Sequence, residues 1–178
     1  MRKQGPAGEG KIFPVLNCIL NNKVFNMTHN LIYDVREILV RDLGFLATRV
    51  EKTPEHLLWE SMPGVTNPLG TLVMHLCGNL RHFIGQALGN DGYHRNRDAE
   101  FARHPLSKQQ LLDEIQITRE SVFDVLDKLS FNDLSAEMPD TPPQHQGRTI
   151  GFFLIQLCCH LSWHRGQADY LARILGEK

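Results

Sequence analysis

The sequence carries no excess of charge of either sign. Its 19 lysine and arginine residues are offset by 20 aspartate and glutamate residues, so the formal net charge is -1 with neutral histidines. Proteins that bind nucleic acids use basic residues to neutralise phosphates, and this composition gives such binding no electrostatic support. We therefore expect no nucleic acid among the partners.

Cysteine is scarce and has no pairing pattern. The four cysteines are Cys18, Cys77, Cys158 and Cys159, and no two of them have C-x-x-C spacing. Cys158 and Cys159 are adjacent, and on a helix their side chains diverge by about 100 degrees, which is poor disulfide geometry. Reduced thiols are typical of a cytoplasmic protein, and this is the location that we predict.

Long apolar runs and strand patterns are also missing. The best apolar run, Ile150 to Cys159, is too short for a transmembrane helix and contains Gln156, so we predict no membrane partner. No segment stands out by the alternation that predicts a strand. With 178 residues, the chain is long enough to bury a core without disulfides.

Four segments repeat their apolar residues with helical period instead. They run from Thr28 to about Val50, from Pro68 to Leu88, from Ser107 to Leu129 and from Ile150 to Leu175. Four amphipathic helices of this length predict an all-α fold, a four-helix bundle. Thr28 is the expected cap of the first helix, so we predict a domain at residues 27–178 and an N-terminal extension of uncertain structure at residues 1–26.

The last helix carries the strongest functional signal. His160, His164 and Gln167 fall on one helical face, within an apolar stripe that points to a core. Two buried imidazoles need partners, and the H-x-x-x-H spacing lets one helix offer both to one divalent ion. The alternative is two core histidines that each hydrogen-bond a neighbour. Gln167 is expected to be a buried amide that serves the site.

A third ligand has to come from another helix. The second helix carries a polar stripe of His75, Asn79, His82 and Gln86 beside its apolar face. Facing helices of a bundle build metal sites in this way. His82 and Gln86 are interpreted as solvent-facing, and His82 is kept as the second candidate for the ligand.

These motifs resemble those of the DinB-like superfamily, which includes thiol-dependent S-transferases of the bacillithiol type. The similar stretches are His75-Leu-Cys-Gly78-Asn79, the polar run from Tyr93 to Phe101, and His160-Leu-Ser-Trp-His164-Arg-Gly166-Gln167. The resemblance extends from Met27 to the C-terminus. It implies an up-down-down-up bundle that binds one divalent metal, zinc or nickel, through His75, His160 and His164.

An ion held by three histidines keeps an open position, which is typical of catalytic sites. It can activate a water molecule for hydrolysis or a small thiol for attack on an electrophile. The resemblance favours a thiol S-transferase with a role in detoxification and stress response. A metal-dependent hydrolase and a non-catalytic metal-binding bundle stay open as alternatives.

Further residues are expected to assist this site. Asn79 and Gln167, on the faces of the ligands, are predicted to orient an imidazole or a bound molecule. Arg95 and Arg97 in the polar loop are predicted to bind a carboxylate of the thiol cosubstrate. The expected partners are a small-molecule thiol and an electrophilic substrate, and a homodimer is the oligomeric state considered.

Overall fold

The structure, a computed structural model, describes the backbone of residues 13–102 and 106–176, with side chains from residue 31 onward. Its α-helices are α1 (Phe13–Lys52), α2 (Leu69–Leu80), α3 (Arg97–Phe101), α4 (Lys108–Leu126), α5 (Phe131–Leu134) and α6 (Ile150–Ile174). A π-helical segment, Arg81–Gln86, continues α2, and short 3-10 turns cover Glu55–Leu57 and Pro143–His145. The described residues contain one isolated β-bridge and no strand, which confirms the predicted all-α fold.

Local capping signals explain where two of the long helices begin. Ser107 and Gln110 form a complete capping box at the start of α4, in which each side chain bonds the other's backbone N–H. At the start of α6, the Thr149 side chain accepts a hydrogen bond of 3.2 Å from the backbone N–H of Phe152. Helix α2 begins directly after Pro68, which caps it without a side-chain hydrogen bond.

The first helix starts earlier than predicted. Helix α1 begins at Phe13 and continues through Thr28, so the prediction that Thr28 caps it is wrong. A capping residue must have non-helical residues before it, and here the preceding segment is itself helical. The division into residues 1–26 and a domain at 27–178 stays a prediction.

Cross-helix contacts show how the four long helices run relative to one another. Helix α1 runs antiparallel to α4 and parallel to α6, and α2 runs antiparallel to α6. The contacting pairs are Arg36–Asp127 and Glu51–Lys108 for α1 with α4, Asp42–Ser162 and Arg49–Asp169 for α1 with α6, and His75–His160 and Phe83–Phe153 for α2 with α6. These pairings favour the up-down-down-up order over a simple meander, in which consecutive helices are neighbours.

One apolar core fills the space between these helices. Its fully buried side chains are mostly leucines, such as Leu39, Leu43, Leu76 and Leu154. Burial of each such side chain contributes roughly 1.5–3 kcal/mol to stability, so the core holds α2 and α6 in fixed register. Nowhere in the described residues does a helix combine the length and apolarity needed to cross a membrane.

Candidate metal centre

Helices α2 and α6 bring the three predicted histidines together. The His75 ring centroid lies 5.1 Å from that of His160 and 5.3 Å from that of His164, and the two α6 rings are 4.7 Å apart. One nitrogen from each ring lies within 4.8 Å of the others, so the group could hold a metal ion. His75 is buried, and the two α6 histidines are half-buried.

The spacing of the nitrogens fits a single ion. The Nε2 atoms of His75 and His160 are 3.3 Å apart. Two nitrogens that each lie about 2.05 Å from one tetrahedral zinc ion are separated by about 3.3 Å. Three imidazoles are also a donor set that zinc and nickel accept. These residues therefore fit a divalent ion bound through three histidines.

Glu100 fixes the orientation of His75. Its carboxylate oxygen Oε2 lies 3.0 Å from His75 Nδ1, and the Arg95 guanidinium donates two hydrogen bonds to the same carboxylate, at 2.6 and 2.9 Å. Burial raises the pKa of Glu100, but the hydrogen bonds from Arg95 and His75 outweigh it and hold this pKa below its ordinary value. An ionised carboxylate can only accept, so Nδ1 of His75 carries the proton and Nε2 is the ring nitrogen left for a metal.

Gly78 allows this carboxylate to come close to α2. A Cβ atom on Gly78 would lie 2.8 Å from Cδ of Glu100, closer than side-chain atoms can approach. Glu100 belongs to α3, and Asn96 caps that short helix by accepting from the backbone N–H of Ala99. The role of Glu100 could not be predicted from the sequence, because Glu100 lies 25 residues from His75 and nothing in its neighbourhood marks it as buried.

His164 has a polar partner as well. Its Nδ1 lies 2.7 Å from Oε1 of Gln167, and an amide oxygen accepts, so the proton is on Nδ1 and Nε2 is available to a metal. Burial and the nearby His75 lower the pKa of His164 in spite of this bond. Burial, with His164, His75 and Arg95 close by, lowers the pKa of His160 to about 4. Both α6 imidazoles are therefore neutral at pH 7, as metal ligands must be.

A cavity of about 500 Å³, the polar cavity, opens beside His75 and His160. Its other lining residues are Asn79, Phe83, Arg95, Arg97, Pro142, Gln144, His145, Phe153, Gln156 and Leu157. No aspartate or glutamate of the described residues lines it, whereas two arginines do. The volume is that of a site for a small molecule.

Asn79 lies in this cavity without a partner. The side chain is buried, with 8% of its surface exposed, and its Oδ1 makes no hydrogen bond to any described residue. Buried polar atoms are nearly always paired, so an exception beside a cavity points to a bound molecule that donates to it. Asn79 thus lines the polar cavity one helical turn from His75, with a buried acceptor that no described residue pairs.

The two predicted arginines differ in their surroundings. Arg95 lines the polar cavity, but its Nε and one terminal nitrogen are taken by Glu100. Arg97 is exposed, also lines the cavity, and lies with its Cζ 5.6 Å from the centre of the Phe101 ring. Arg97 is thus the better placed of the two to bind an anionic group.

Residues 27–178 match a family model over the whole helical core and all three histidines. The chain belongs to this family. It is DUF1572, whose description reads "Protein of unknown function". Among curated proteins, no match to the chain was found.

In this DUF1572 chain, His82, the second candidate for the ligand, lies outside the cluster, and the nearby cysteines do not join it. His82 instead pairs with Asp140 of the loop before α6, at 3.2 Å. Burial raises the pKa of the Cys77 thiol to about 12, so this cysteine stays protonated and inert. Cys159 is exposed, and the only group of three potential ligands within the described residues is His75, His160 and His164.

One expectation about the DUF1572 site needs correction. Gln167 was expected to be a buried amide on the apolar face, but its side chain is exposed. Gln167 lies about 120 degrees round α6 from the fully buried Leu161, at the edge of the buried stripe, so its side chain meets solvent although Leu171, one turn later, is buried. Gln167 nevertheless bonds a histidine of the cluster, and the contact expected of it is present.

Proposed function

We propose that this chain is a DinB-like, divalent-metal-dependent enzyme that transfers a low-molecular-weight thiol to an electrophile. The observation that carries the proposal is the cluster of three histidines, two of which, His75 and His160, line the polar cavity. A purely structural metal site is usually closed by four protein ligands, whereas this one has three and borders space for a small molecule. Zinc or nickel is the metal proposed.

The ion would be held by His75, His160 and His164. Hydrogen bonds to Glu100 and Gln167 would fix the orientation of the His75 and His164 rings. A divalent ion lowers the pKa of a thiol that it binds, so that the sulfur is a thiolate at neutral pH. The chain needs no cysteine nucleophile of its own for this chemistry. That fits the high pKa of about 12 of the buried Cys77 and Cys158 thiols.

The polar cavity supports an anionic cosubstrate. Arg97 offers a guanidinium to a carboxylate, whereas the charge of Arg95 is offset by the Glu100 carboxylate that bonds two of its nitrogens. Oδ1 of Asn79 is a buried acceptor for an N–H or O–H of the same molecule. A small thiol that carries carboxylates and amide or amine donors matches these groups.

The proposed reaction is a nucleophilic substitution at carbon. The thiol releases its proton to solvent, and its sulfur forms a bond to the electrophilic carbon. The bond from that carbon to its leaving group breaks, and the leaving group departs with the electron pair. No oxidant or reductant is needed.

The test is thioether formation by protein reconstituted with zinc or nickel. Cysteine, glutathione and bacillithiol are each offered with 4-nitrobenzyl chloride, and we expect at least one thiol to react faster than without protein. The His160→Ala, His164→Ala double variant should lose both the metal and the rate, whereas His82→Ala should keep both. No acceleration with any thiol would overturn the transferase, and full metal retention by the double variant would overturn the metal site.

A further inference from the structure

A second cavity, of about 440 Å³, also reaches the histidine cluster; we name it the apolar cavity. The polar cavity meets the cluster at His75 and His160, whereas the apolar cavity meets it at His164 and Gln167. The histidine cluster therefore borders both cavities, each of which is large enough for a small molecule.

The apolar cavity is built for an uncharged ligand. Its lining includes the buried Leu72 and Leu171, which are 2% and 4% exposed, and the exposed Tyr170 and Ile174, which are 69% and 61% exposed, beside the uncharged Thr66 and Asn67. No aspartate, glutamate, lysine or arginine of the described residues lines it. An aromatic or alkyl group placed there would cover apolar surface that now faces solvent, which is favourable at about 25 cal/mol per Å².

We infer that the apolar cavity binds the electrophile, as an uncharged aromatic or alkyl compound, with the carbon to be attacked at its His164 end. The inference rests on the proposed function, in which a thiol occupies the polar cavity. Each substrate then approaches the cluster from its own side. The sulfur–carbon bond forms beside the imidazoles while the leaving group departs with its electron pair.

Binding can be tested without turnover. The probe is 4-nitrobenzyl alcohol, which has the shape of the chloride but no reactive leaving group, titrated calorimetrically into the zinc-loaded protein. Ile174→Glu places a charge on the rim, and its matched control is Ile117→Glu, on the exposed face of α4 away from both cavities. Both positions are exposed, so both variants should fold, which circular dichroism and zinc content would verify.

We expect Ile174→Glu to weaken probe binding at least tenfold and to raise the KM for 4-nitrobenzyl chloride similarly, with the KM for the thiol unchanged. Ile117→Glu should match the wild type in its affinity for the probe, in its KM for 4-nitrobenzyl chloride and in its KM for the thiol. Unchanged probe affinity in Ile174→Glu, or an unchanged electrophile KM in a protein that turns over, would overturn the inference and leave the proposed function standing. Weakened probe binding without thiol transfer would support the cavity as a binding site and overturn the proposed reaction alone.

Discussion

At the scale of single residues, Glu100 decides which nitrogen of His75 faces the cluster. Glu100→Gln keeps the volume and still offers an oxygen to Arg95, but its amide can present an N–H to Nδ1 and no longer fixes the tautomer. Loss of such a partner lowers metal affinity about ten- to a hundredfold. We expect the Kd for zinc to rise by that factor in a titration against a chromophoric chelator.

The matched control for this variant is Glu114→Gln. Glu114 also accepts a hydrogen bond from an arginine, Arg81, at 3.1 Å, but it contacts no histidine of the cluster. Its zinc affinity should equal that of the wild type. If Glu100→Gln behaved in the same way, the carboxylate would have no part in orienting His75.

Gln167 provides the second prediction at this scale. Gln167→Met removes the acceptor that lies 2.7 Å from His164 Nδ1 and keeps a side chain of similar size. Because the residue is exposed, we expect the Tm of the zinc-loaded protein to move by only a few degrees while the Kd for zinc rises about tenfold. Gln116→Met is the control, since Gln116 bonds Glu120 on its own helix. Equal zinc affinity in the two variants would refute this role.

At the scale of elements, the close approach of α3 to α2 depends on Gly78. Gly78→Ala would put a Cβ atom into the space of the Glu100 carboxylate, which Arg95 and His75 hold in place. We expect Glu100 to be displaced, so that zinc affinity falls about as much as in Glu100→Gln. Isothermal titration calorimetry with zinc measures this loss.

The control for Gly78→Ala is Gly166→Ala, within α6. A Cβ atom there meets no other atom within 4 Å, and alanine is favoured over glycine in a helix by about 1 kcal/mol. This variant should bind zinc normally and gain stability. Zinc affinity that stays normal in Gly78→Ala would show that Glu100 can move without loss to the site.

At the scale of elements, some features of the fold and site can be predicted from the sequence and others cannot. The caps at Ser107 and Thr149 and the pair His160 and His164 were predictable, because each depends on residues within four positions of one another. The contact of Glu100 with His75 was not, because it depends on where α3 packs. A short helix inside a polar loop has too few residues to show the helical repeat of apolar side chains by which longer helices are predicted.

The same limit explains the error at Gln167. Helical spacing correctly puts it on the face of His160 and His164. Which side chains of that face are buried, however, depends on how the neighbouring helices pack, since Leu171 is buried one turn after the exposed Gln167. The spacing of residues along a helix predicts the direction of a side chain, whereas the packing of the neighbouring helices determines whether that side chain is buried.

At the scale of the whole molecule, the histidine cluster joins α2 to α6, two helices far apart in sequence. A metal that binds the folded protein alone stabilises it, by about 2.7 kcal/mol when the free ion exceeds the Kd a hundredfold. The core, however, already packs these helices through apolar side chains such as Leu76 and Leu154. The fold therefore supports the metal site more than it depends on it.

The last prediction concerns the N-terminal residues 1–26. The family match begins at residue 27, so residues 1–26 lie outside it. We expect that deletion of residues 1–26 leaves the zinc stoichiometry near one and shifts the Tm by only a few degrees. Differential scanning calorimetry and metal analysis would measure both.

A longer deletion, of residues 1–40, serves as the comparison for this prediction. It also removes Ile32, Val35 and Leu39, each of which contributes roughly 1.5–3 kcal/mol by burial, a sum comparable with the whole stability of an ordinary domain. This variant should therefore unfold or melt far below the full-length chain. If deletion of residues 1–26 lowered the Tm as much, that segment would belong to the core of the domain, and the predicted boundary at residue 27 would be wrong.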